Sequence, residues 1–361
     1  MPRAFLVAIA VLILSLSVVP TALGQDFTPT VQQVYVKIYN EVQNMGSTPV
    51  PLSETGVTEF NYPLEDPTQR IERVEARFNG VNVSYAIYGG DEPYIRVIPP
   101  SSWTNLTPGS KVDAWVVYVV RVDTLSRFES IIDFSDAYIT GNTSRLEEKS
   151  QPIVLNSTLE DYVSATSGWN YTNPLIKLLL RYVLSIADPG KPVDLVRTVV
   201  EYVDSNIAYS IRTPPREPWE TLLFMEGDCD DQSNLLVTVL RGLGIPSYQE
   251  YGMVYLSSDF RLETVGDNGM LNITMVGGGG HAWAVAFLPP WGWVRIDTVF
   301  GVKGNWLSHI VSIPYYNYPT VVMGRSRGEA SQVEWLSLER QIARAKLKYV
   351  ILYEVSVVEQ F

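Results

Sequence analysis

The hydrophobic period of this chain changes along its length, and that change limits the folds open to it. Between residues 27 and 125, apolar and polar side chains alternate, the period-2 signature of strands with one buried face. Val34, Val36 and Ile38 alternate with Tyr35, Lys37 and Tyr39. Asn79-Gly80 is a two-residue hairpin signal, with Val74, Ala76 and Phe78 before it and Val83, Tyr85 and Ile87 after it. Tyr94–Ile98 and Val112–Val122 add further strands. From residue 175 the spacing becomes helical. Leu175, Leu178, Leu179, Tyr182 and Ile186 form one stripe, stopped by Asp188-Pro189-Gly190. Val196, Val199, Val200 and Val203 form a second. Leu236, Val239, Leu240 and Leu243 form a third, closed by Gly244 and Pro246. Alternation returns at Gln249, Tyr251, Met253 and Tyr255. This order predicts an α+β protein that begins with a β-sandwich of roughly 100 residues.

The third helical run begins at the only cysteine in 361 residues, in Gly227-Asp228-Cys229-Asp230-Asp231-Gln232. One cysteine makes no intrachain disulfide, so this thiol does not staple the fold. At a helix N-terminus the dipole favours a thiolate, which makes Cys229 a candidate nucleophile. Its backbone N–H would be the first oxyanion donor, with Trp219 and Tyr209 as candidates for the second. Asp228, Asp230 and Asp231 suit a helix start but oppose ionisation of the thiol between them. One Cys and two His make no zinc site, and the acids lack the Gly and Glu spacing of a calcium loop. Neither a metal nor a cofactor is expected.

A thiol nucleophile needs a base and a group to orient it. His281-Ala282-Trp283 opens a strand, and Trp293-Val294-Arg295-Ile296-Asp297 forms its partner after a Pro289-Pro290-Trp291-Gly292 turn. The expected register sets His281 opposite Thr298, with Asp297 one step away and within cross-strand reach, about 5 Å between Cβ atoms when directly opposed. His281 is the candidate base and Asp297 the candidate orienting acid. His309 has no obvious partner. Trp283, Trp291 and Trp293 are candidates for lining a substrate cleft. Residues 257–280 read as a loop ending in Gly277-Gly278-Gly279-Gly280. With no Lys-Ser/Thr and no helix behind it, that run is a flap or a close backbone passage rather than a phosphate cradle.

Gly227-Asp228-Cys229-Asp230-Asp231 followed by Leu240-Arg241-Gly242-Leu243-Gly244-Ile245-Pro246 resembles the nucleophile segment of the transglutaminase-like superfamily. His281-Ala282-Trp283 and Gly292-Trp293-Val294-Arg295-Ile296-Asp297 resemble its His and Asp segments, and Ile207-Ala208-Tyr209 and Pro218-Trp219-Glu220-Thr221-Leu222 its lead-in. The likeness spans roughly residues 175–300. It implies a papain-like core, a nucleophile helix packed on an antiparallel sheet, and a Cys-His-Asp triad at Cys229, His281 and Asp297. It further implies a thioester acyl-enzyme formed on protein or peptide amides. Water would resolve the thioester in a protease or amidase, the favoured outcome; an amine would resolve it in a transglutaminase. A non-catalytic cell-surface scaffold is the reading from another class. The family often has Pro after the Asp, where this chain has Thr298.

Residues 1–24 carry Arg3, an apolar run from Ala4 to Val19, Pro20 and Ala22-Leu23-Gly24, and read as a signal peptide. The run is shorter than the roughly 20 residues of a membrane span, so no stable span is expected after cleavage; an uncleaved anchor is the alternative. The protein is expected to be secreted or at the cell surface. Six Asn-x-Ser/Thr sequons, at Asn82, Asn105, Asn142, Asn156, Asn170 and Asn272, agree with export. The remaining divisions are a sandwich over 25–125, a Ser/Thr/Asn-rich connector over 126–172, and a catalytic domain over 173–325. A helix bearing Trp335, Leu338 and Ile342 and a strand from Tyr349 to Val358 follow in 326–361. A net charge of −12 argues against nucleic acid as a partner.

Overall fold

A computed structural model describes residues 31–211, 215–266, 269–326, 328 and 346–358. The expected signal peptide and the helix around Trp335 lie outside the described residues. Among the described residues, no helix is long and apolar enough to cross a membrane.

The alternating N-terminal segments are strands, and Asn79-Gly80 makes the expected hairpin with both residues at positive φ, 46° and 75°. The strand Val31–Asn44 lies at the centre of a seven-stranded sheet. On one side it pairs with Lys111–Asp123, and beyond that comes Gln69–Phe78. On the other it pairs with Leu347–Val358, followed by Leu271–Val276 and Arg261–Gly266. The 25–125 segment therefore shares its sheet with strands far along the chain. Periodicity identifies strands but not their neighbours, so this pairing is invisible in the sequence. A small sheet of Glu59–Asn61, Tyr94–Val97 and Tyr85–Tyr88 is joined to the large one where the Tyr118 hydroxyl donates to the Asn61 carbonyl at 2.7 Å.

Two of the strands correct the expected loop over 257–280. Arg261–Gly266 and Leu271–Val276 form a hairpin in which Leu271, Ile273 and Met275 are buried in alternation. The stretch 126–172 also holds more structure than its composition implied, with helices at Thr124–Glu129, Ile132–Thr140 and Ser144–Lys149. In the first helical stripe, Leu178, Tyr182 and Ile186 face solvent, and Ile176, Leu179 and Val183 make the buried face. Pro174-Leu175-Ile176 to Ile186 is apolar around most of its circumference, so spacing alone could not choose the inner side.

A second sheet is antiparallel, in the order Gly292–Ile296, Gly278–Leu288, Ser247–Tyr255, Thr320–Ser326. It lies between two cores. Tyr251, Met253, Val321 and Met323 pack toward the seven-stranded sheet. Tyr248, Val285 and Val322 pack toward the helices Pro174–Ile186, Pro192–Asn206 and Cys229–Gly242. At the glycine run the backbone passes tight against its neighbours. A Cβ on Gly277 would lie 1.9 Å from the Val355 carbonyl oxygen, and one on Gly278 1.8 Å from that of Val254. Only glycine permits that passage, and it feeds directly into His281.

Candidate active site

The helix Cys229–Gly242 starts from a reciprocal cap, in which the Asp228 N–H donates to Asp231 Oδ2 at 3.4 Å. Cys229 is its first residue, so its backbone N–H has no acceptor within the helix. The side chain is 1 % exposed, and the backbone N–H of Ala282, the residue after His281, is near enough to favour its thiolate. Burial raises the thiol well above its ordinary value; Asp228 and Asp230 raise it further, and the Ala282 N–H opposes them. The difficulty visible in the flanking acids is thus present in the fold.

His281 and Asp297 meet across the hairpin. Val285 pairs with Arg295 and Ala284 with Ile296, a register one residue from the expected one. The ladder ends there, and Asp297 turns in just past the strand. His281 Nε2 lies 2.5 Å from Asp297 Oδ2, with both side chains buried. Asp297 Oδ1 accepts from the Val299 N–H at 2.9 Å. A carboxylate only accepts, so Nε2 carries the proton and Nδ1 is the basic nitrogen. Nδ1 is buried and has no hydrogen-bond partner among the described residues.

Tyr209 stands beside Cys229. Its short parallel pairing with Gly227 places it there. Burial raises its phenol, and Cys229, Asp228, Asp230 and Asp297 raise it further, so it remains an O–H donor. Trp219 is half-buried against the helical core. The cleft candidates are placed differently from expectation. Trp283 is buried and donates to Glu250. Trp291 packs on Phe134 and donates to Asp133 Oδ2 at 2.9 Å. Trp293 packs among Tyr162, Tyr248 and Phe287 near the turn. Trp291 and Trp293 stand at the far end of the hairpin from His281, whereas Trp283 lies beside the imidazole, 5.9 Å between ring centroids.

Sequence reasoning missed three supports. Thr298 Oγ1 bonds Gln232 Oε1 at 2.8 Å, and Gln232 Nε2 donates to the Gly227 carbonyl at 3.0 Å. The residue that departs from the family's proline thus ties the acid loop to the cysteine helix. His309 has partners after all. Its Nδ1 lies 2.8 Å from the Phe300 carbonyl and 3.2 Å from that of Asp297, and its Nε2 lies 3.2 Å from Asp204 Oδ1. The Asp297 N–H donates to the His309 carbonyl at 2.8 Å. The third is Glu250. Contacts between such distant positions leave no local signal.

Oxygens of Asp228, Asp230 and Asp231 lie within 4.8 Å of one another, the only such grouping among the described residues. Asp231 is engaged elsewhere, accepting from the Arg216 N–H at 2.6 Å. Burial and then Asp230 raise its carboxyl to about 8, against the N–H donors and the Arg216 charge. An acid raised in the fold holds a proton that the unfolded chain has lost. The contribution of Asp231 to stability should therefore fall as pH rises between about 4 and about 8, by at most about 1.4 kcal/mol per pH unit. Asp231→Asn should flatten that slope, which urea unfolding across the same range would show.

Residues 181–298 match the model of the transglutaminase-like superfamily. Among solved structures, a candidate cysteine protease from Cytophaga hutchinsonii is similar over 92% of this chain and 92% of its own, at 12% identity and a TM-score of 0.55. The two share a fold. The periplasmic domain of TgpA from Pseudomonas aeruginosa matches 78% of this chain and 94% of its own at 13% identity, with a TM-score of 0.26. Red sea bream transglutaminase matches 78% of this chain and 61% of its own at 12% identity, with a TM-score of 0.29. No curated protein matches the sequence.

Proposed function

We propose, for a chain whose residues 181–298 form a transglutaminase-like core, that the protein is an exported thiol hydrolase acting on protein or peptide amide bonds. Cys229 is the nucleophile, His281 the base and Asp297 the group that holds the imidazole. The observation that carries this reading is the His281–Asp297 hydrogen bond with Nδ1 left unpartnered, on a strand whose next N–H meets the Cys229 thiol. Nδ1 takes the thiol proton as sulfur attacks the carbonyl carbon. The oxyanion is held by the Cys229 N–H, with the Tyr209 hydroxyl as the candidate second donor. The C–N bond then breaks, the departing amine takes the proton from Nδ1, and water resolves the thioester with the same imidazole as base. Thiol, imidazole and carboxylate are all at most 2 % exposed, so substrate entry requires side chains packed over them to move.

The test is mass spectrometry of exported proteins and synthetic peptides incubated with the full chain and a labelled amine. Cleaved peptides that disappear with Cys229→Ala support hydrolysis. Incorporation of the amine would replace it with acyl transfer, and unchanged peptides with a non-catalytic scaffold.

A further inference from the structure

Glu250 is fully buried at the centre of the four-stranded sheet, in Ser247–Tyr255. Its two oxygens accept from three side chains. Trp283 Nε1 and Arg295 Nε each donate to Oε2 at 3.0 Å. Arg295 Nη2 donates to Oε1 at 3.2 Å, and Arg325 Nε to the same oxygen at 3.4 Å. Burying a carboxylate is costly unless charge and hydrogen bonds meet it. Burial alone would push Glu250 up; Arg295 and Arg325 reverse this and hold it below its usual range.

The donors sit at particular places. Trp283 is two residues after His281 and on the same face of its strand. Its ring lies beside the imidazole, 5.9 Å between centroids. Arg295 is two residues before Asp297, again on the same face, and its guanidinium lies 3.9 Å from the centroid of the Tyr315 ring. Glu250 is opposite Trp283 in the ladder, and Arg295 opposite Val285 on the other side. One carboxylate thus grips both strands that deliver the base and the acid, next to each functional residue. It touches neither the thiol nor any atom that would react.

We propose that Glu250, acting through Trp283 and Arg295, is a positioning residue for the His281–Asp297 pair. It fixes the stagger of the two strands and the tilt of the imidazole, so that Nε2 meets Asp297 and Nδ1 is presented to the thiol. The inference rests on the thiol-enzyme reading above.

Trp283→Phe is the sharpest test, because it removes the N–H that meets Glu250 and keeps an aromatic, though smaller, side chain in the same place. Two quantities are measured on the full chain: kcat and KM for a cleaved peptide, and the pH profile of Cys229 alkylation by iodoacetamide. Trp283→Phe should lower kcat by about tenfold to a hundredfold with KM unchanged, the size expected of a misaligned catalytic group. Its alkylation profile should move to higher pH. Glu250→Gln should do more of both. Glu59→Gln removes the buried partner of Arg96, 2.6 Å away in the small sheet, and controls for loss of stability alone; its alkylation profile should overlay the wild type. A reactive wild type with an overlaid Trp283→Phe profile and unchanged kcat overturns this inference only. A wild-type thiol no faster than free cysteine overturns the thiol-enzyme reading, and this inference with it.

Discussion

Cys229→Ala is expected to lower peptide turnover by at least about 10³-fold, and His281→Ala by a similar factor. The double variant should be little worse than either single one, because nucleophile and base act as one unit. The sign of the pH effect follows from the site. Burial, Asp228 and Asp230 all raise the thiol. The Ala282 N–H opposes them, and a proton on the His281 imidazole would favour the thiolate further. His281→Ala should therefore alkylate at a distinctly higher pH than the wild type. Single-turnover kinetics and the alkylation profile, with circular dichroism to show that the fold is kept, decide the matter. An alanine variant that turns over peptide at the wild-type rate removes Cys229 from the mechanism.

Arg127→Ala is expected to cost about 2–4 kcal/mol of stability, because it leaves buried acceptors unpaired, each worth about 1–3 kcal/mol, and removes a packed side chain. Arg127 is 1 % exposed, on the helix that follows the N-terminal strands. Its Nε donates to Thr68 Oγ1 at 2.9 Å and its Nη2 to Gln69 Oε1 at 3.2 Å. Its Nη1 donates to the Thr320 carbonyl at 2.8 Å, and the guanidinium lies 4.1 Å from the Tyr315 ring centroid. Gln69 continues the link, donating from Nε2 to the Val322 carbonyl at 2.8 Å and accepting the Val322 N–H at 2.8 Å. One guanidinium thus joins the first large-sheet strands to an edge of the four-stranded sheet. Arg127→Lys should cost less than alanine but more than a surface change, since an ammonium cannot reproduce the planar fork. Urea unfolding should show one transition, because the shared sheet and this junction couple the two cores. A loss below about 1 kcal/mol would place Arg127 among ordinary surface contacts.

Much of the site was legible because its parts are local. A helix start with a single thiol, a turn-linked pair of strands, and a histidine and aspartate on one face each follow from spacing. The hairpin register lies one residue from the expected one because three residues, Pro289-Pro290-Trp291, separate the paired Leu288 and Gly292. The loop expected over 257–280 failed for a different reason. Leu271, Ile273 and Met275 alternate over only a few residues and run straight into a glycine-rich stretch, so the local pattern reads as a loop. Trp283, Trp291 and Trp293 were set at the cleft by their chemistry alone. Each instead packs in the core or against it, and two spend their indole N–H on buried acids, the usual resting place of such a side chain.

The sequence by itself determined most of the strand and helix runs and the helix start at Cys229, because these depend on residues within a few positions of one another; it linked His281 and Asp297 only through the short turn between their strands. Tertiary structure alone decided the rest. The strand Leu347–Val358 joins Val31–Asn44 across nearly the whole chain. Gln232 reaches Thr298, and Glu250 gathers Trp283, Arg295 and Arg325. Such contacts form only when layers close on a buried face, and period-2 or helical spacing carries no label for the partner that will cover it.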